Sequence, residues 1–136
     1  MREPSRAVAH GCRPFSYAIL RLVPSVERGE RLNVGVVLFC RQLGFLGARV
    51  ALDQARLRAL APQAPVRELE EHLQSLVRVA EGAPEGGPIA ALPQSERFGW
   101  LAAPSSTIVQ ASEVHTGLCE DPAATLDALF ARLVIA

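Results

Sequence analysis

The sequence predicts an α+β fold: a single domain whose antiparallel sheet of three to four strands carries two to three helices packed on one face. Three observations predict it. Residues 16–51 hold three runs of strand character separated by short polar breaks, and short connections suit antiparallel neighbours. Residues 66–80 change period: Val66, Leu69, Leu73, Leu76, Val77 and Ala80 recur at helical spacing with charged residues opposite, the pattern of an amphipathic surface helix. The chain has 136 residues, 49% of them hydrophobic and 21% charged, enough for one core of ordinary composition.

Residues 1–13 carry charge but no apolar stretch, so they read as a flexible N-terminal segment before a domain over 14–136, and not as a secretory signal. The first strand, residues 16–23, alternates Ala18, Leu20 and Leu22 on one side with Tyr17, Ile19, Arg21 and Val23 on the other. A polar linker over 24–29 leads to the second strand, residues 31–40. This run, RLNVGVVLFC, is the most unusual of the chain. Gly35 brings no side chain to pack, and Asn33 brings an amide that must find partners. Another backbone or a ligand is therefore expected close to that strand. The break RQLG leads to a third strand over 45–51.

Asp53 is placed to cap a short helix bearing Leu57 and Leu60, and the long amphipathic helix follows. The Gly/Pro-rich stretch 81–93 is a crossing, too short to divide two cores. Phe98, Trp100 and Leu101 form an apolar anchor, and residues 107–112 read as a short fourth strand. Asp121 and Pro122 announce a last helix, an acceptor at the cap and a residue without N–H at the first position. Its stripe of Leu126, Leu129, Phe130, Leu133 and Val134 is expected to bury, with that of the long helix, against the Ala18/Leu20/Leu22 side.

Charge excludes little but weighs on partners. Fourteen basic residues, all arginine, balance fourteen acidic ones, so no overall field draws the chain to nucleic acid or anionic membrane. No apolar run approaches the roughly 18 residues of a membrane span. Three cysteines, Cys12, Cys40 and Cys119, without a CxxC spacing, read as reduced thiols of a cytoplasmic protein, two of them buried.

The densest polar cluster lies in the C-terminal third. His115 is the candidate acid/base, because imidazole titrates near neutral pH. Ser106 or Thr107 could serve as its hydroxyl partner, with Glu113 or Glu30 orienting the ring and Asn33 lining the site. No GxSxG, HExxH or paired-aspartate motif accompanies them. The same residues are explained by hydroxyls that cap turns and a histidine that makes a structural hydrogen bond, and that reading is preferred. Metal ligands could be drawn from His10 and Cys12 or from His115 and Cys119, but four ligands at closed geometry do not assemble, and no metal is expected. Residues 85–88, EGGP, lack the lysine and hydroxyl of a phosphate loop, so no cofactor is expected either.

Arginines 21, 28, 31, 41 and 49 gather around the strands. Arg21 and Arg49 are expected on the side of Tyr17 and Asn33, where such a face can stack on bases or clamp phosphate. A solvated or partner-binding face is preferred, given the neutral balance. Tyr17, Arg21, Arg31, Gln110 and Thr116 are the candidate binding residues.

Three blocks, RGE-x-LNVGVVLF, W-x-x-A-P-x-S-T-I-V-Q and VHTGLC, are specific enough to carry a resemblance. Over residues 15–134 the chain resembles the bacterial DUF3037 family, a domain of unknown function. The family pattern is met at Trp100, Ala103, Pro104, Ser106, Thr107, Gln110, His115, Thr116 and Gly117. The resemblance brings no established activity. It implies a HipA-like kinase as partner or pathway neighbour, because the family's genes often stand beside those of such kinases. The leading expectation is thus an accessory or interaction protein, in complex with a HipA-like kinase or as a homodimer. The alternatives are a small hydrolase-like enzyme centred on His115 and a nucleic-acid-binding module using the arginine face.

Overall fold

The computed structural model describes residues 11–25, 27–103 and 108–136. The predicted class is the observed one: a single α+β domain with an antiparallel sheet of five strands and, among the described residues, five α-helices. The strands are β1 (Arg13–Leu22), β2 (Leu32–Cys40), β3 (Phe45–Val50), β4 (Val109–Ala111) and β5 (His115–Cys119). The helices are α1 (Gln54–Leu60), α2 (Val66–Glu81), the single turn α3 (Gly87–Ala90), α4 (Gln94–Leu101) and α5 (Pro122–Phe130), which runs on into a wider π-type turn, Ala131–Ile135.

The sheet is four strands wide. β3, β2 and β1 lie side by side in that order, and β4 and β5 share the far side of β1. β4 pairs with Leu20, Arg21 and Leu22, and β5 pairs with residues 13–17. Arg21 faces Gln110, whereas Tyr17 faces His115, so the outer strand holds one residue more than β1 between those levels. β4 and β5 are therefore one edge strand broken by a bulge at 113–114. The VHTGLC block, beyond the last strand expected from sequence, supplies this strand's second half.

A second bulge accounts for the odd composition of β2. Leu20 pairs with Gly35 but Arg21 pairs with Asn33, leaving Val34 as the extra residue. The inserted residue reverses the alternation. Leu32 thereby joins the core beside Leu22, while Asn33 turns to the opposite face, beside Arg21.

Both faces of the sheet are covered, and here the expectation of helices on one face is corrected. α2 and α4 bury Leu69, Leu73, Leu76, Phe98 and Leu101 against Ala18, Leu20, Leu22, Val34 and Val37. α5 lies on the other side, over β2 and β3, where Leu126, Leu129, Phe130 and Val134 pack with Phe15, Val36, Leu38 and Cys40. The reason lies in β2, where Val34 and Val37 face α2 and Val36, Leu38 and Cys40 face α5, all fully buried. A strand apolar on both sides needs a layer on both sides.

The helix ends follow local chemistry. Asp53 caps α1 through the backbone N–H of Arg56, and α2 ends at Gly82, whose φ of 70° is left-handed. Arg97 donates to Ala80 O near that end, at 3.4 Å, and to Leu92 O at 2.6 Å, tying the crossing segment to α2. Asp121 caps α5, its carboxylate accepting from Ala124 N at 3.2 Å with Pro122 at the first position. Asp121→Ala is expected to lower stability by about 1 kcal/mol, read from the denaturant midpoint.

Candidate functional site

α5 leaves part of its sheet face uncovered. Cross-strand register puts Tyr17, Ile19 and Arg21 of β1, Gln110 of β4 and His115 of β5 on that face, with Tyr17 packed against the edge of the α5 cluster. We refer to this region as the β1/β5 strip. Ile19 forms a buried floor, and Tyr17, Arg21, Gln110 and His115 are each partly exposed. The Tyr17 and His115 rings lie 5.2 Å apart with planes tilted by 31°, and Phe15 adds a third ring 6.0 Å from Tyr17. Offset aromatic contact of this kind steadies the imidazole without a hydrogen bond.

The bulge at 113–114 creates this arrangement. Without its extra residue, His115 would point to the α2 face. Ser112 holds the bulge in place and is the only buried polar or charged residue among those described, at 6% exposure. Its hydroxyl accepts from Ile19 N at 2.8 Å, where a strand carbonyl would otherwise stand, and donates to Glu113 O at 2.9 Å. Its own N–H donates to Ile19 O at 2.8 Å. Ser112→Ala should therefore leave the buried Ile19 N–H without an acceptor. The expected cost is about 1–3 kcal/mol by thermal or chemical denaturation, with faster amide exchange at Ile19.

The candidate acid/base residues are dispersed. His115 Nε2 lies 3.8 Å from the Glu113 carboxylate, and the two side chains are 42% and 79% exposed. An ion pair so open to water is worth little. Asn33 is on the same face but four residues along β1 and two strands across, about 13 Å by about 10 Å from strand geometry. Its amide donates to Leu133 O at 3.0 Å, closing the C-terminal end of α5 onto β2. The partner that the sequence demanded for Asn33 is a helix carbonyl. Asn33 also borders a groove of about 250 Å³ with Asp53, Arg56, Val134 and Ile135.

Glu30 lies beyond the Leu22/Leu32 end of the sheet, at least five strand residues or about 17 Å from the Tyr17 level, and pairs with Arg28 at 3.0 Å. Ser106 and Thr107 lie outside the described residues, as does His10. Thr116 faces the α2 side, where it borders a shallow groove of about 270 Å³ with Ser16, Phe39, Arg41 and Gln42. Arg31 is an exposed residue just ahead of β2.

The arginines are equally divided. Arg49 shares the α5 face, as expected, but its guanidinium pairs with Asp127 at 2.5 Å and sits 4.6 Å over the Phe130 ring. Arg41 lies 5.5 Å over Phe39, a ring of the opposite face. Arg21 is left as the arginine of the strip. Among the described residues no three His, Cys, Asp or Glu side chains are grouped to hold a metal ion. The buried Cys119 thiol is pushed up in pKa, first by burial and then by Cys40 beside it, which keeps it protonated and unreactive. No helix among the described residues is long and apolar enough to cross a membrane.

Sequence reasoning singled out Tyr17, Arg21, Gln110 and His115 separately, and the fold brings these four onto one strip. It missed Ser112 and Arg97, since one serine among several hydroxyls and one arginine among fourteen carry no local signal of burial.

Comparison with known families gives one result. The model of the family described as "Protein of unknown function (DUF3037)" matches residues 17–134, nearly the whole chain. No curated protein and no solved structure matches.

Proposed function

Because the chain belongs to the DUF3037 family, we propose that it is an accessory protein that acts by binding another protein, with the β1/β5 strip as its recognition surface. One observation carries the reading: Tyr17 and His115 meet ring against ring, both partly exposed, on paired strands, with Arg21 and Gln110 further along the same face. Partly exposed aromatic and arginine side chains on a fixed scaffold are the kind of residue that dominates protein interfaces. The carboxylate beside His115, that of Glu113, is exposed, and the Ser112 hydroxyl three residues earlier is committed to the strand ladder. Those features favour recognition over nucleophilic chemistry.

The family resemblance supplies the first partner to try, a HipA-like kinase. Calorimetric titration of such a kinase, taken from the chain's own source, into the purified chain tests the proposal. Binding is expected to weaken by tenfold or more, about 1.4 kcal/mol, in Tyr17→Ala or Arg21→Ala. A kinase that binds both variants as tightly as the wild type would move the interface elsewhere.

A further inference from the structure

The open side of β5 carries a second surface, independent of the strip. Among the described residues β5 has one strand neighbour, β1. The direction of its backbone groups follows from the rest of the ladder. Ile19 exchanges bonds with Ser112, and Val23 N donates to Ile108 O at 2.6 Å, so the odd-numbered residues of β1 turn their N–H and C=O toward the edge strand. Their partners in β5 are His115, Gly117 and Cys119. Alternation then turns the N–H and C=O of Thr116 and Leu118 outward. The same two residues carry their side chains on the α2 face, where Thr116 is exposed and Leu118 is 63% exposed, more than any other large apolar residue described.

We propose that this edge pairs with the β5 edge of a second copy of the chain, antiparallel about a two-fold axis through Gly117. The segment is complementary to itself in that register. Thr116 meets Leu118 of the second copy, and Leu118 meets its Thr116, giving four main-chain hydrogen bonds between outward-facing groups. Gly117 meets Gly117 at the non-bonded position, where strands approach most closely. Each exposed Leu118 gains an apolar and methyl-bearing neighbour on the α2 face. HTGLC carries no lysine, no proline and no inward charge, and the bulge at 113–114 lies just outside it, which confines the pairing to these five residues. The axis is perpendicular to the sheet, so two four-strand-wide sheets join into one and both β1/β5 strips face the same way. Such a contact is self-matching, as a closed dimer requires. It is small beside a standard interface of about 1,600 Å², and Glu113 stands level with Asp121 of the second copy, so the dimer is concentration-dependent and strengthens as salt screens that pair.

Sedimentation equilibrium of the full chain under reducing conditions tests this. The wild-type mass is expected to rise from one chain toward two with concentration, and further with added salt. Thr116→Pro removes an outward N–H that β1 does not use and should hold the mass at one chain while leaving the melting transition in place. Leu118→Lys, an edge charge at an exposed position, should do the same if the proline variant fails to fold. A wild-type chain that stays monomeric throughout would overturn the inference, as it would if this edge took a strand from another protein. Variants that dimerise as the wild type does would also overturn it. The result is independent of kinase binding, so failure here and failure of the proposed function are told apart.

Discussion

Phe130→Ala is expected to destabilise the domain by about 3–5 kcal/mol, the range for emptying a buried aromatic site. Phe130 is 7% exposed and sits with Leu126, Leu129 and Val134 against Phe15, Val36 and Leu38. Its ring also supports the Arg49 guanidinium at 4.6 Å. Domains of this size are stable by about 5–15 kcal/mol, so the variant should lose a large share of its resistance to urea. The Arg49–Asp127 pair, which links β3 to the same helix, is half-exposed on both sides, and Asp127→Ala should cost no more than about 1 kcal/mol. The contrast between the two substitutions reads directly on whether α5 forms a second core. A Phe130→Ala cost as small as that of Asp127→Ala would mean that it does not.

Gly35→Val is expected to destabilise the domain on the same scale as Ser112→Ala. A side chain at this position starts with a Cβ 2.9 Å from the Arg49 carbonyl oxygen, 2.9 Å from Val50 Cγ1 and 3.2 Å from Leu20 Cδ1. The nearest atom is main chain of the neighbouring strand, so relief requires β3 to move. Overpacking of that kind costs about 1–3 kcal/mol, whereas strand propensity alone would make valine at a central strand an improvement. Chemical denaturation decides between them by sign. A stabilised variant would show that the space beside Gly35 is open and that the glycine serves some other purpose.

Four of the five strands, the capped helices and the class of the fold were legible in the sequence because each depends on local pattern. Alternation marked 16–23, the asparagine and glycine marked the special strand, and Asp121-Pro122 marked the start of α5 where it stands. Gly35 and Asn33 were rightly read as demanding close neighbours. Which neighbours they take, the backbone of β3 and the carbonyl of Leu133, is a matter of tertiary placement that strand composition does not encode. The second covered face was hidden for a related reason. From Val36 to Cys40 the strand is apolar at every position because both of its faces are buried, and a continuous apolar run does not say which element covers each side. The candidate site was legible as residue types and not as a place, because the bulge at 113–114 decides the side to which His115 points. Nothing in Ser-Glu-Val-His announces that extra residue.

Hydrogen–deuterium exchange on the chain, alone and saturated with a HipA-like kinase, reads out whether the β1/β5 strip is a surface for recognition. Exchange is expected to slow over residues 15–21 and 109–117, with α1 and the exposed side of α2 unchanged. A complex that protects α1, α2 or the Asn33 groove and leaves those strand segments as they were would contradict it.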